Sequence, residues 1–481
     1  MVFSAPEFLF LFLPLTVLVF YLARRLAGHD ASLWVLLGAS LIFYSWWDVR
    51  FLPLLLGSIV LNFGFAHLIR RGDSALWTGI GVTANLALLA VFKYADFLVE
   101  NFNAATGADL PLPGLPLPLA ISFFTFQQIA FLVDTARRTT DPSRADRYGL
   151  FVAFFPQLIA GPIVHHRTMA PQLADKDRHS RAMENISIGL SIFAIGLAKK
   201  VLIADTVAPY SNAAFDTAAT GEPVGLLLAW SGALAYAMQI YFDFSGYSDM
   251  AVGLGRMFGF QLPVNFNAPY RSRSITEFWR RWHITLSHFL RDYLYISLGG
   301  NRAGQVRTLV NLMIVMLLGG LWHGAAWTFV VWGGLHGFAL IWCRLMDKLR
   351  PGGLFKGLPW VSVGVTFLFV VITWVFFRAE SFDAAWIMLA GMAGLNGTGA
   401  GVGEEPVIAL VICFLLIWRA PETGQFFFDQ IDPALRQEAG LTAPRRLRWT
   451  PTRRTAVLIA VLLFICAVNT WGFSEFIYYN F

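Results

Sequence analysis

The chain has 481 residues, of which 57% are apolar and only 14% charged, against about 25% charged in an ordinary soluble domain. So few charges cannot cover the apolar surface of a soluble fold this large, so lipid is the expected solvent. A net charge of +6 and a pI of about 9.3 would suit a polyanion binder. The basic residues, however, sit in particular loops between apolar stretches, and the cytoplasmic excess of Lys and Arg in membrane proteins accounts for them without nucleic acid.

The N-terminus, Met1 to Glu7, has no basic leader, and no small-residue cleavage site follows; a retained first helix is expected. A crossing helix needs about 20 mostly apolar residues. Stretches of that character lie at 8–23, 32–47, 51–69, 76–99, 116–133, 186–204, 224–244, 308–322, 326–343, 358–377, 405–419 and 455–472. The segment 149–164 contains Pro156, Gly161 and Pro162. It reads as a re-entrant hairpin, because broken backbone at membrane depth must be shielded by protein. Threading the spans alternately puts all but five of the 36 Lys and Arg on one side, the exceptions being Arg50, Lys93, Lys199, Lys200 and Arg378. That side is expected to be cytoplasmic, with both termini outside. The segment 384–398 and the Lys199–Lys200 region are ambiguous in this layout. Cys343, Cys413 and Cys466 lie far apart in apolar spans, which gives neither a disulfide framework nor a zinc site. The expectation is an all-α polytopic protein with one membrane domain: N-terminal helices over 1–148, a catalytic core over 149–345 and C-terminal helices over 346–481.

Two stretches carry candidate chemistry. The first, 243–302, concentrates Arg, Trp, Tyr, Gly and His in a loop between spans. On a helical wheel over 278–294, Trp279, Trp282, Leu286, Phe289, Leu290, Tyr293 and Leu294 share one arc. Arg280, Arg281, Ser287, His288, Arg291 and Asp292 fall opposite, with Ile284 a misfit. His283 lands in the apolar arc and His288 among the charges, so His283 is either a satisfied core residue or a functional one, and His288 an interfacial one.

The second stretch, 317–338, repeats a Gly-Gly-Leu segment before each of two His-Gly pairs, at His323 and His336. The glycines permit close helix approach. A desolvated neutral imidazole can accept a proton, which a general base must do, but local pattern does not choose between the two histidines. His165–His166 are adjacent and lack the i, i+4 spacing of a metal pair, His288 and Asp292 suit an ion pair across one helix turn, and no Gly-x-Ser-x-Gly elbow or phosphate loop occurs.

The runs FFPQLIAGPI (154–163), YFDFSGYSDMAVGLGRMFGF (241–260), NFNAPYRSRSITEFWRRWHITLSHFLRDYLYISLGGNR (265–302), GGLWHGAAWTFVVWGGLHG (319–337) and the closing FIYYNF (476–481) resemble the membrane-bound O-acyltransferase family. The similarity is greatest to its bacterial alginate O-acetyltransferase subgroup and the D-alanyl-transferring relatives, and it covers nearly the whole chain in order. Ser297 stands where relatives often have proline, and Tyr479–Asn480 replace a usual Phe-Gln pair; neither departure touches a histidine.

The resemblance implies a ring of about 11–12 transmembrane helices around a central tunnel, in a bacterial inner membrane. It implies that His323, in Leu-Trp-His-Gly, is the catalytic histidine and that His283, in Arg-Trp-His, assists it; His336 gains no such support. It further implies acetyl transfer from cytoplasmic acetyl-CoA, with no permanently bound cofactor. The acetyl group would pass to an extracytoplasmic partner acetyltransferase and so to an exopolysaccharide. Arg280, Arg281 and Arg291 are candidates to hold the CoA phosphates through charge-assisted bonds, or are simply interfacial positive charge. The rival readings are another acyl transfer on the same fold, such as D-alanylation, a polysaccharide transporter, and a structural membrane scaffold. A transporter would keep solute flux after loss of both histidines and would repeat its charges along several spans.

Overall fold

In a computed structural model of the chain, the described residues are 1–142, 144–178, 181–302, 304–350, 357–399, 401–444, 447–470 and 477. Every regular element among them is a helix. Among the described residues, seven helices are long and apolar enough to cross a bilayer: Phe8–Ala27, Val49–Arg71, Ser74–Thr106, Ala182–Ala219, Gln305–His323, Trp327–Leu349 and Pro359–Arg378. Each contains one of the expected spans, except that 326–343 and 358–377 begin one residue ahead of their helices. Helices also cover most of the described residues of the other five expected spans. Four of them, His29–Ser45, Ile121–Ala136, Glu404–Arg419 and Arg453–Asn469, have 16 or 17 residues. At about 1.5 Å of rise per residue they fall short of a hydrocarbon core about 30 Å thick. The fifth, Leu226–Met257, has 32 residues but carries Asp243, Asp249 and Arg256. The ambiguous 384–398 segment holds the 11-residue helix Phe382–Met392, too short to span. Of the closing aromatic hexapeptide only Ile477 lies among the described residues; Tyr479 and Asn480 lie outside them.

The chain divides into two compact units, one of residues 1–194 with 248–263 and the other of 195–247 with 264–481. In the first, Phe3, Phe8, Phe43 and Phe155 are fully buried and pack ring to ring, with centroids 5.1–6.5 Å apart. Polar side chains join helices where no water is available. Asn62 and Asn85 exchange amide hydrogen bonds of 3.2 and 2.6 Å. Gln128 Nε2 donates to Ser58 Oγ at 2.9 Å and Tyr148 OH to Gln128 Oε1 at 3.2 Å. The proline-containing segment expected to be re-entrant is broken, with helices Ala145–Ala153 and Phe155–Leu158 followed by an irregular run. Every residue from 148 to 166 is buried, the shielding that non-helical backbone requires.

In the second unit, the Lys199–Lys200 pair begins a π-helical turn, Lys199–Ala204, within the Ala182–Ala219 helix. Lys200 Nζ lies 2.7 Å from both Asp205 Oδ1 and Asp243 Oδ1, with the Lys200 and Asp243 side chains 4% and 1% exposed. Lys199 Nζ lies 3.8 Å from Glu422 Oε2, and Glu422 Oε1 accepts from the Tyr241 hydroxyl. Charges at such depth persist only when paired. Lys200→Met strands the Asp243 carboxylate and should cost about 3–5 kcal/mol; Lys200→Met with Asp243→Leu should recover most of that. Thermal unfolding in detergent measures both, and a double variant as unstable as the single one would refute the pairing.

Candidate active site

The 275–295 region is not one helix. The helices Ile275–Trp279 and Ile284–Phe289, the latter running into a π-turn over Leu290–Tyr295, are separated at His283, whose φ of 42° lies in the left-handed region. The break is imposed from upstream: Asn265 O accepts the Ile284 N–H at 3.0 Å, and the Asn267 N–H donates to Arg281 O at 3.0 Å. These bonds take backbone groups that a continuous helix would use internally. The break shifts the helical phase, which explains why Ile284, the misfit of a continuous wheel, is only 2% exposed.

His283 is fully buried. Its Nδ1 lies 3.1 Å from Asn265 Oδ1, an oxygen that also receives the Thr285 N–H at 3.2 Å and the Thr285 hydroxyl at 3.0 Å. Phe244 packs edge-on at 4.7 Å between centroids, and Trp322 lies at 6.4 Å. Nε2 is buried with no hydrogen-bond partner among the described residues. Burial pushes the pKa down to about 3, because an apolar pocket disfavours the charged ring, so at neutral pH the imidazole is uncharged.

The helices Gln305–His323 and Trp327–Leu349 pack backbone to backbone. A Cβ on Gly320 would lie 2.2 Å from Phe329 O, and one on Gly333 2.2 Å from Met316 O. His323 is the last residue of the first helix and is 3% exposed. Its ring meets Trp322 at 4.9 Å, Phe377 at 5.1 Å and Trp332 at 5.2 Å. His323 thus lies one residue along from Trp322, the ring that also faces His283.

His336 is also fully buried, but both of its nitrogens are satisfied. Trp279 Nε1–H donates to Nδ1 at 3.2 Å, and Nε2 lies 3.0 Å from Thr373 Oγ1. The Thr373 hydroxyl gives its one proton to Val370 O at 2.9 Å, so the His336 Nε2–H is the donor to Oγ1. That is the pattern of a packing histidine.

Beside His323 lies a polar cavity of about 530 Å³, bordered by Phe377 and Phe329 and by Tyr236, Gln239, Asp216 and Arg378. Tyr236 and Gln239 stand three apart on the Leu226–Met257 helix and share a face. The Tyr236 hydroxyl and Gln239 Oε1 are buried without a hydrogen-bond partner among the described residues, so a ligand hydroxyl has two groups to satisfy. Arg378 is held by Asn212 Oδ1 at 3.2 Å and Asp216 Oδ1 at 3.5 Å. Residue-type patterns along the chain do not point to this cavity, since Tyr236 and Gln239 sit in an ordinary apolar run; the intramembrane Arg378, an exception to the charge layout, was the one available signal.

The three candidate phosphate-binding arginines differ. Arg280 is exposed. Arg281 Nη2 donates to Glu277 Oε1 at 2.6 Å, and Arg291 is bonded to Asp292 through two contacts of 2.6 and 3.0 Å. His288 Nδ1 lies 3.1 Å from Glu438 Oε1, with its side chain 19% exposed. Its carboxylate partner is Glu438, however, and Asp292 turns to Arg291, because the π-turn after Phe289 alters the i, i+4 register.

Comparison with known proteins places these residues in a wider set. The family model described as MBOAT, membrane-bound O-acyltransferase family, matches residues 131–382, a span that includes His283 and His323. The chain is 41% identical to a peptidoglycan O-acetyltransferase of Helicobacter pylori, the alignment covering 100% of this chain and 98% of the relative. It is 39% identical to a probable alginate O-acetylase of Azotobacter vinelandii, over the full length of both. A teichoic acid D-alanyltransferase of Bacillus subtilis is 27% identical over 55% of this chain and 69% of its own length.

Proposed function

The chain belongs to the membrane-bound O-acyltransferase family, and on that basis we propose that it moves an acetyl group from cytoplasmic acetyl-CoA to a hydroxyl acceptor on the outer side, with His323 as general base. That it is a multi-pass membrane O-acyltransferase follows from the family and from its seven apolar helices; the donor, the sidedness and the roles of residues are our reading. The observation that carries it is the place of His323, a buried ring at a helix end that shares the Phe377 wall with a polar cavity.

CoA carries phosphate charges that cannot enter hydrocarbon cheaply, so it stays at the basic mouth, and Arg280 is the cation best placed to receive it because Arg281 and Arg291 already hold carboxylates. The small acetyl end reaches His323. The acceptor hydroxyl, lodged in the cavity against Tyr236 and Gln239, gives its proton to the imidazole as its oxygen attacks the acetyl carbonyl carbon. The tetrahedral oxyanion needs a donor, and Trp332 Nε1–H, buried without a hydrogen-bond partner among the described residues and on a ring 5.2 Å from His323, is the candidate. Collapse breaks the C–S bond, and the imidazolium returns its proton to the thiolate.

The final acceptor is a polysaccharide, alginate-like or peptidoglycan-like by the names of the relatives, and the hydroxyl that takes the acetyl group at the cavity belongs to a separate extracytoplasmic acetyltransferase that passes it on. The chain would sit in a bacterial inner membrane with both termini outside. D-alanyl transfer is the second reading, supported by a relative of lower identity and coverage. Purified protein in lipid nanodiscs, given labelled acetyl-CoA or a D-alanyl-loaded carrier protein, separates them. Label should transfer from acetyl-CoA; transfer from the carrier alone would overturn the donor assignment.

A further inference from the structure

We propose that Asn265 is a positioning residue for the transfer reaction: its side-chain oxygen holds His283 in the Nδ1–H tautomer, which leaves the Nε2 lone pair as the acceptor for a donor at the reacting centre. The inference rests on the reading that His283 assists His323, and it assigns the group that makes His283 competent to do so.

The donors and acceptors around the ring fix the tautomer. A backbone N–H can only donate, and the Thr285 N–H reaches the Asn265 side chain at 3.2 Å, so the atom there is the amide oxygen. The Thr285 hydroxyl meets the same oxygen at 3.0 Å. Asn265 Oδ1 therefore accepts, and the His283 nitrogen 3.1 Å away, Nδ1, must carry the proton. A neutral imidazole has one N–H, so Nε2 has only its lone pair, and this buried atom has no partner among the described residues. A buried acceptor left empty costs about 1–3 kcal/mol. A structural histidine avoids that cost, as His336 does with Trp279 and Thr373.

The backbone points the same way. His283 occupies the left-handed region with φ 42°, at a cost of about 1–2 kcal/mol for a residue with a Cβ. Asn265 O holds the next residue by the Ile284 N–H, so one residue clamps both the strained backbone and the ring. Strain retained where the surroundings over-determine it is a recurrent feature of functional sites. Around the ring stand Phe244 from the Leu226–Met257 helix, Trp322 from the Gln305–His323 helix, and Asn265 and Thr285 from its own loop. None of these titrates; a titratable group on the same wall is His323, edge-on to Trp322 at 4.9 Å between centroids.

Two variants test the role. Asn265→Ala frees the ring to adopt either tautomer, and kcat should fall about 10–100-fold, by analogy with losing the hydrogen-bond partner that orients a metal-bound histidine, with little change in the KM for acetyl-CoA. Asn265→Asp keeps an acceptor for the Thr285 donors and so preserves the loop, but its carboxylate stabilises the imidazolium and raises the pKa of His283. Below that raised pKa, Nε2 carries a proton and no longer accepts, so this variant should acquire an acid limb in its pH–rate profile beyond the one that His323 as general base gives the wild type, with activity recovering as pH rises. A purely structural Asn265 would not create such a limb. Wild-type kcat in Asn265→Ala at normal membrane abundance, or a wild-type pH profile in Asn265→Asp, would overturn the proposal. His283→Ala separates the two readings: full activity in that variant defeats the role of His283 itself, whereas an inactive His283→Ala beside wild-type Asn265 variants defeats only the positioning role.

Discussion

His323→Ala should reduce acetyl transfer by at least about 10²–10⁴-fold, the contribution of a positioned general base, while the protein accumulates in the membrane at normal levels. The side chain lies at the end of its helix among Trp322, Trp332 and Phe377, so its loss opens a gap without unmaking the helix pairing. Labelled acetyl transfer by purified protein is the measurement, and wild-type turnover would remove His323 from the mechanism. The informative comparison is His336→Ala. That change leaves the Trp279 indole N–H and the Thr373 hydroxyl oxygen without their partner, so its effect should appear as a lower unfolding temperature. Properly folded His336→Ala should keep most of the turnover. The two histidines share a local sequence, and the contrast tests whether a ring with both nitrogens committed is excluded from chemistry while its near-twin is not.

That near-identity shows where the sequence stops being informative. Hydropathy is a local property, so each of the twelve apolar stretches has a helix within it, and length together with composition separates seven full spans from the rest. The choice between His323 and His336 is not local. What sets His336 apart is its contact with Trp279, 57 residues away, and with Thr373, 37 residues away, and a resemblance to the family could favour His323 only by matching its motif. His283 is a mixed case. The continuous wheel put it on the apolar side and it is fully buried, yet the helix breaks at that residue because Asn265 and Asn267 capture its backbone. Periodicity assumes an unbroken helix and cannot see an upstream loop that interrupts one. The Lys200–Asp243 pair was legible only as an anomaly, a basic pair out of place in the charge layout, because its explanation lies on another helix.

Gly320→Leu should be the most damaging substitution outside the site. Even a Cβ at this position falls 2.2 Å from Phe329 O, 3.1 Å from its carbonyl carbon and 3.2 Å from the Gly333 Cα. All three are backbone atoms, so no side-chain rotation relieves the clash and the helices Gln305–His323 and Trp327–Leu349 must separate. Overpacking of an ordinary core costs about 1–3 kcal/mol because side chains yield; here a whole helix must move, so the cost should meet or exceed the top of that range. The lowered unfolding midpoint in detergent should come with lost activity, since His323 lies three residues further along the displaced helix. Gly57→Ala and Gly364→Ala are the matched controls: both positions are helical, with no packing neighbour within 4 Å of where a Cβ would stand, and alanine gains up to about 1 kcal/mol of helix propensity over glycine. Equal stability of Gly320→Leu and these controls would mean that the close approach of the two helices does not hold His323 in place.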